Sequence, residues 1–135
     1  MNFTERLETL MKILDRLCED SEAGLPIIVE GRADVEVLRS LGVRGRIFTV
    51  KERGKSLVDV VDEVRGVAEE AIILVDFDRR GREYALKLTK SLQMLGVKPN
   101  LSYWKEIMCL VGKWVKDVEG LPSYIETLKR KVCCY

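Results

Sequence analysis

The chain has 135 residues, 47% of them hydrophobic, enough for one domain with a real core and too few for two ordinary ones. Its 23 basic and 22 acidic side chains leave a net charge of +1, which excludes the strong positive field of a protein that coats nucleic acid; any such contact must come from a local patch. Four cysteines without CxxC spacing, and no histidine, exclude an ordinary structural zinc site.

Phe3 to Cys18 puts Leu7, Leu10, Met11, Leu14 and Leu17 on one helical face, which predicts an amphipathic helix packed on the body that follows. Ser21 to Pro26 reads as a linker-like break. Ile27 to Val29 is a short apolar strand ending in Glu30-Gly31, and the helix after it, carrying Val35, Val37, Leu38 and Leu41, ends near Gly42. Arg46 to Val50 predicts a second strand. Ser56 with Asp59 resembles a capping box, opening a helix with Val60, Val61, Val64, Val67 and Ala68 on one stripe. Ala71 to Val75 is the most hydrophobic strand, of the kind buried on both faces of a parallel sheet, and it runs into Asp76-Phe77-Asp78. A helix from Arg79 to Leu95 is stopped by Gly96, and Val97 to Tyr103 is expected as a fourth strand. Beyond Trp104 the pattern weakens: Ile107 to Val115 is apolar, and Pro122 is placed to open a terminal helix with Tyr124, Ile125 and Leu128.

This alternation predicts an α/β fold with an open, mostly parallel four-stranded sheet and helices on both faces, whose ligand sites lie at the carboxyl ends of the strands. The expected organisation is an N-terminal helix and linker (1–24), a central domain (25–104) and a C-terminal helical extension (105–135). With no secretory leader and no apolar run near 20 residues, the reading is cytoplasmic, with reduced thiols and no membrane association.

Glu30, Asp76 and Asp78 would then meet at neighbouring strand ends, where carboxylates repel one another unless a divalent cation lies between them, and hard Mg²⁺ favours such oxygen ligands. The Asp-x-Asp alone is equally well explained by Asp78 capping the next helix and Asp76 lying in a solvated turn. Glu30 on a second strand end favours the metal. Asp34 reads as a helix-start residue.

An apolar strand ending in Glu30-Gly31, then Asp34 and a helix, and later a strand ending Asp76-x-Asp78 with Gly81 three residues on, resembles the Toprim pattern. That domain is shared by bacterial-type primases, type IA and type II topoisomerases, OLD-family nucleases, RecR-type recombination proteins and the maturase of 5S ribosomal RNA. The resemblance spans about Leu25 to Trp104 and is nearest to small stand-alone Toprim proteins, the small primase-like proteins known chiefly from archaea. It implies that Glu30, Asp76 and Asp78 bind one or two Mg²⁺ ions, with Mn²⁺ able to substitute. It also implies that Glu30 acts as general acid or base in making or breaking phosphodiesters. Where some relatives carry a further acid two residues after the Asp-x-Asp, this chain has Arg80, which leaves a one-metal site open.

Lys51, Arg53 and Lys55 after the second strand, and Arg79, Arg80 and Arg82 after the acids, are candidates to grip phosphates if they face the same edge; a solvated helix end explains each of them singly. Gly54-Lys55-Ser56 is not a P-loop, because Thr49 stands where that motif needs glycine. A haloacid-dehalogenase-like phosphatase is disfavoured by Arg80 and by an Asp-x-Asp on the third strand. Tyr84, Tyr103, Tyr124 and Tyr135 have no separate domain to make one of them a topoisomerase nucleophile. Trp104 and Trp114 are expected as core or interface anchors rather than base-stacking platforms.

The expected function is Mg²⁺-dependent chemistry on nucleic-acid phosphodiesters, as an endonuclease or a processing factor for structured RNA or DNA. The alternatives are a non-catalytic adaptor in a repair or processing complex, and a primase-like nucleotidyl transferase. Expected partners are nucleic acid and a protein supplying further binding surface, and a homodimer is compatible with the sequence.

Overall fold

Fully buried β-branched residues set the sheet. In the computed structural model, which describes residues 1–52 and 54–133, Ile27, Ile28, Val29, Ile72 and Ile73 have no exposed surface, as expected for strands covered on both faces. The strands are β1 (Ile27–Val29), β2 (Ile47–Thr49), β3 (Glu70–Ile73) and β4 (Lys98–Asn100). They form one sheet in the order β2-β1-β3-β4, and every pairing is parallel. Among the described residues six α-helices surround it: α1 (Phe3–Glu22), α2 (Arg32–Ser40), α3 (Leu57–Arg65), α4 (Arg79–Met94), α5 (Ser102–Val111) and α6 (Leu121–Cys133), with a 3₁₀ turn at Val118–Gly120 before the last.

The helices fall into two packed groups. α3 lies against α4, while α1 packs on α5 and α6, and α2 meets the 3₁₀ turn. Leu10, Leu14 and Leu17 of α1 are buried in this second group together with Ile107, Val111, Leu121 and Ile125. No helix among the described residues is long and apolar enough to cross a membrane.

Local chemistry explains most boundaries. Ser56 accepts the Asp59 N–H (3.2 Å) and Asp59 accepts the Ser56 N–H (2.9 Å), the expected capping box of α3. The Val60, Val61 and Val64 stripe is buried, but α3 ends at Arg65 and Val67 is exposed. α1 runs to Glu22, four residues past Cys18, so the expected break shrinks to the turn before Pro26.

The fourth strand is shorter than expected. It stops at Asn100, whose side-chain oxygen accepts both the N–H (3.0 Å) and the hydroxyl (2.7 Å) of Ser102, turning the chain directly into α5. Tyr103, expected at the end of a strand, and Trp104 after it therefore sit in the first turn of a helix and are buried.

Candidate metal centre at the switch point of the sheet

β1 lies between β2 and β3, so the chain leaves β1 in one direction and returns to its other side. In open α/β sheets this reversal opens a crevice at the strands' carboxyl ends, where ligands bind. Glu30 follows β1 and Asp76 follows β3, on either side of that crevice.

Backbone register fixes their relation. The β1–β2 ladder continues past the strands, with the Val50 N–H on Val29 O (3.1 Å) and the Lys51 N–H on Glu30 O (2.9 Å). On the other side the Leu74 N–H donates to Ile28 O at 2.9 Å. Two residues on, the Asp76 N–H donates instead to the Glu30 side chain, Oε2, at 2.8 Å. Glu30 Oε1 lies 2.9 Å from the Lys51 ammonium. Both carboxylate oxygens of this buried residue are thus engaged.

The electrostatics follow from that geometry. Burial pushes the Glu30 carboxyl upward, but the Lys51 ammonium and the Asp76 N–H outweigh it and hold Glu30 below the ordinary range. Asp76 has no such partner. Burial, and then the neighbouring Glu30 charge, raise its carboxyl to about 7, the behaviour of two acids that cannot both ionise cheaply at close range. The hydrogen bond to Glu30 raises Lys51 in turn, while Arg80 and Asp76 pull it in opposite directions, so these four charged groups share one electrostatic environment.

Asp78 is placed differently. It is exposed and caps α4, accepting the Gly81 N–H on Oδ1 at 2.8 Å. β3 has ended at Ile73, so Asp76 and Asp78 stand in a loop, without the strand geometry that would impose a common direction. Asp34 accepts the Gly31 N–H at 3.1 Å as a helix-start residue, and burial, then the charges of Glu119, Glu30 and Asp117, raise its carboxyl.

Two acids escaped the sequence reading. Asp117 caps the 3₁₀ turn through the Gly120 N–H (2.9 Å), and its charge, like that of Glu119, reaches the Glu30–Asp34–Asp76 group. The visible signal was a second pair of acids two apart, Asp117-Val118-Glu119, in the stretch where hydrophobic periodicity was weakest.

The C-terminal segment, through α5 and the loop after it, holds the loop that carries the aspartates. The Trp104 indole N–H donates to Val75 O (3.0 Å) and Asp76 O (3.2 Å), and the Phe77 N–H donates to Lys116 O at 2.7 Å. Of the basic candidates, Lys51 is paired with Glu30 and Arg80 stands within its electrostatic reach. Arg79 is almost fully exposed, 3.6 Å from Glu83. Lys55 faces Glu63 (3.0 Å) and Glu52 (3.3 Å); Arg53 lies outside the described residues.

Oxygen-only donors, two of them close enough that one retains a proton to about 7, suit a hard divalent cation that replaces this proton. Among the described residues, no three His, Cys, Asp or Glu side chains already stand as a metal-holding group. Closing round an ion therefore requires Glu30 to exchange Lys51 for it and Asp78 to offer the oxygen that does not cap α4.

A sequence model of the Toprim domain matches residues 24–101, nearly the span over which the motifs had suggested it. Among similar proteins, the UPF0292 protein of Methanosarcina barkeri is 36% identical over 96% of this chain and 89% of its own length. That of Methanocaldococcus jannaschii is 36% identical over 93% and 96%. A solved structure described as a putative protein from Aquifex aeolicus has a TM-score of 0.68 at 25% identity, covering 80% of this chain and 94% of the other.

Proposed function

This chain belongs to the Toprim domain family, and on that basis we propose that it carries out Mg²⁺-dependent cleavage of nucleic-acid phosphodiesters, as an endonuclease or processing nuclease. The observation that carries the reading is the Glu30–Asp76 pair at the switch point, with Asp76 raised to about 7. Two carboxylates held this close repel one another when both are ionised, and a divalent cation between them offsets that repulsion.

Under this reading Glu30, Asp76 and Asp78 hold the ion. When bound, Mg²⁺ neutralises charge building on the phosphoryl oxygens and orients the attacking water. The chain's own groups do the rest. Glu30, kept ionised, accepts the water's proton as the water oxygen bonds to phosphorus and the bond to the leaving strand breaks, the leaving oxygen taking a proton from solvent. Lys51, once released from Glu30, and Arg80 face the phosphate oxygens.

The test is cleavage of end-labelled single-stranded, duplex and hairpin RNA and DNA with Mg²⁺ or Mn²⁺. Wild type is expected to cut at least one substrate class, and Asp76→Asn to cut at least 100-fold more slowly, the scale on which removal of one essential charged group acts. Equal rates for the two proteins would overturn the reading.

One observation favours a second reading, a non-catalytic adaptor that uses this surface for assembly: Glu30 is already satisfied by Lys51 and the Asp76 N–H. An adaptor shows no turnover with any substrate while Asp76→Asn weakens complex formation.

A further inference from the structure

Trp104 and Trp114 were both expected as core or interface anchors, and Trp104 is buried in the core. Trp114, in the segment between α5 and the 3₁₀ turn, keeps 53% of its surface exposed, unusual for the largest apolar side chain in a small domain. It is nevertheless held in place. The Arg6 guanidinium lies 4.3 Å from its ring centroid, and Tyr124 of α6 stacks nearly parallel to it at 5.8 Å. Arg6 Nε is buried without a hydrogen-bond partner, so stacking rather than hydrogen bonding fixes the guanidinium.

This stack borders a cavity of about 550 Å³, within the range of small-ligand sites. Arg6, Arg82 and Lys113 line it with no carboxylate among its walls, and among the described residues none of the three forms an ion pair. In a chain of net charge +1 such a concentration of free cations is local and directional. Its position links it to the acids: Phe77, between Asp76 and Asp78, forms part of the wall, and Arg82 lies in the first turn of α4, which Asp78 caps.

We infer that this cavity is a subsite for one unpaired nucleobase of a single-stranded segment, next to the phosphodiester held at Glu30, Asp76 and Asp78. The base extends the Arg6–Trp114–Tyr124 stack, and Arg82 and Lys113 pair with its flanking phosphate. Aromatic faces and guanidinium planes are the surfaces on which unpaired bases stack, and three cations without a counter-charge select an anionic ligand over an apolar peptide. The inference rests on the phosphodiester reading above and assigns it a substrate: strands with an unpaired base at the cut.

Cys109, exposed and in the wall of the same cavity, supplies a probe that needs no substitution. The experiment measures binding, without metal, of a ten-residue single-stranded DNA and of an abasic strand of equal length to wild type and Trp114→Ala, together with alkylation of Cys109 against exposed Cys133 as reference. The expected result is that the base-bearing strand binds wild type about tenfold or more tighter than the variant and shields Cys109 but not Cys133, while the abasic strand binds both proteins alike. Equal binding of the base-bearing strand to both proteins, or equal shielding of Cys109 by the abasic strand, overturns the subsite. Shielding of Cys109 by raised protein concentration alone also overturns it, assigning the cavity to a second copy of the chain. Intact Asp76-dependent cleavage with Trp114-independent binding defeats this inference alone; Trp114-dependent binding with no cleavage under any condition defeats the phosphodiester chemistry and leaves the base subsite standing.

Discussion

Asp76 makes the centre sensitive to pH in a direction opposite to an ordinary salt-bridged carboxylate. Its carboxyl is raised to about 7, so the folded chain holds a proton there that the unfolded chain releases near the usual aspartate value. The stabilisation is complete below that ordinary value and is lost as pH rises through about 7. Metal-free protein is therefore expected to unfold at lower urea concentration at pH 8 than at pH 5. Asp76→Asn should reduce the difference by about 1 kcal/mol, a figure discounted for a carboxyl that is only part-buried, and Mg²⁺ should restore wild-type stability at pH 8. Urea titrations of both proteins at the two pH values check this; a wild type whose pH dependence matches that of the variant would remove Asp76 as its source. Glu30 and Asp76 were legible as candidates because each ends an apolar run. The Lys51–Glu30 pair was not, since it depends on the register of Val29 with Thr49, two segments twenty residues apart whose alignment no local pattern carries.

At the level of elements, the first turn of α4 presses directly on the loop that carries the aspartates. A Cβ at Gly81 would come within 1.8 Å of Asp76 O and 2.4 Å of its carbonyl carbon, and both are backbone atoms that cannot swing aside. On an open helix Gly→Ala stabilises by about 1 kcal/mol; here the overlap must displace either α4 or the loop, and overpacking of this kind costs about 1–3 kcal/mol. Gly81→Ala is accordingly expected to be less stable than wild type by denaturant titration, and to lose Asp76-dependent activity in parallel because Asp76 moves with its carbonyl. Equal or greater stability would mean that the loop yields freely. The same scale shows what one-dimensional periodicity reveals. α1, α3 and α4 were readable from apolar stripes and caps, and β1 and β3 from β-branched runs. β4 was overextended because Asn100 and Ser102 redirect the chain through side-chain hydrogen bonds, while Tyr103 fits a strand by composition. The C-terminal segment was hardest to read, and it holds Val75 and Asp76 through Trp104 of α5 and Phe77 through Lys116 in the loop that follows.

Across the whole molecule, charge decides how nucleic acid can be held. The net charge of +1 gives no general attraction, and four cations stand where a strand reaching the acids would pass: Arg80 by the Glu30–Asp76 crevice, and Arg6, Arg82 and Lys113 at the adjoining cavity. Lys55, Arg65 and Lys129, by contrast, are paired with acids on their own or neighbouring elements and add little beyond solvated surface. A strand crossing from cavity to crevice would meet about four cations and neutralise about as many phosphates. Since each phosphate neutralised on a single strand contributes about 0.7 to the slope, log Kd should rise against log salt with a slope of about 2–3. The Arg82→Gln/Lys113→Gln double variant should lower that slope by about 1 while leaving the Trp114-dependent stacking contribution in place. Fluorescence titrations of a short single strand between low and moderate salt measure both quantities. A slope well above this range would require a wider basic interface than these residues form, and a slope unchanged in the double variant would place the phosphate contacts elsewhere on the molecule.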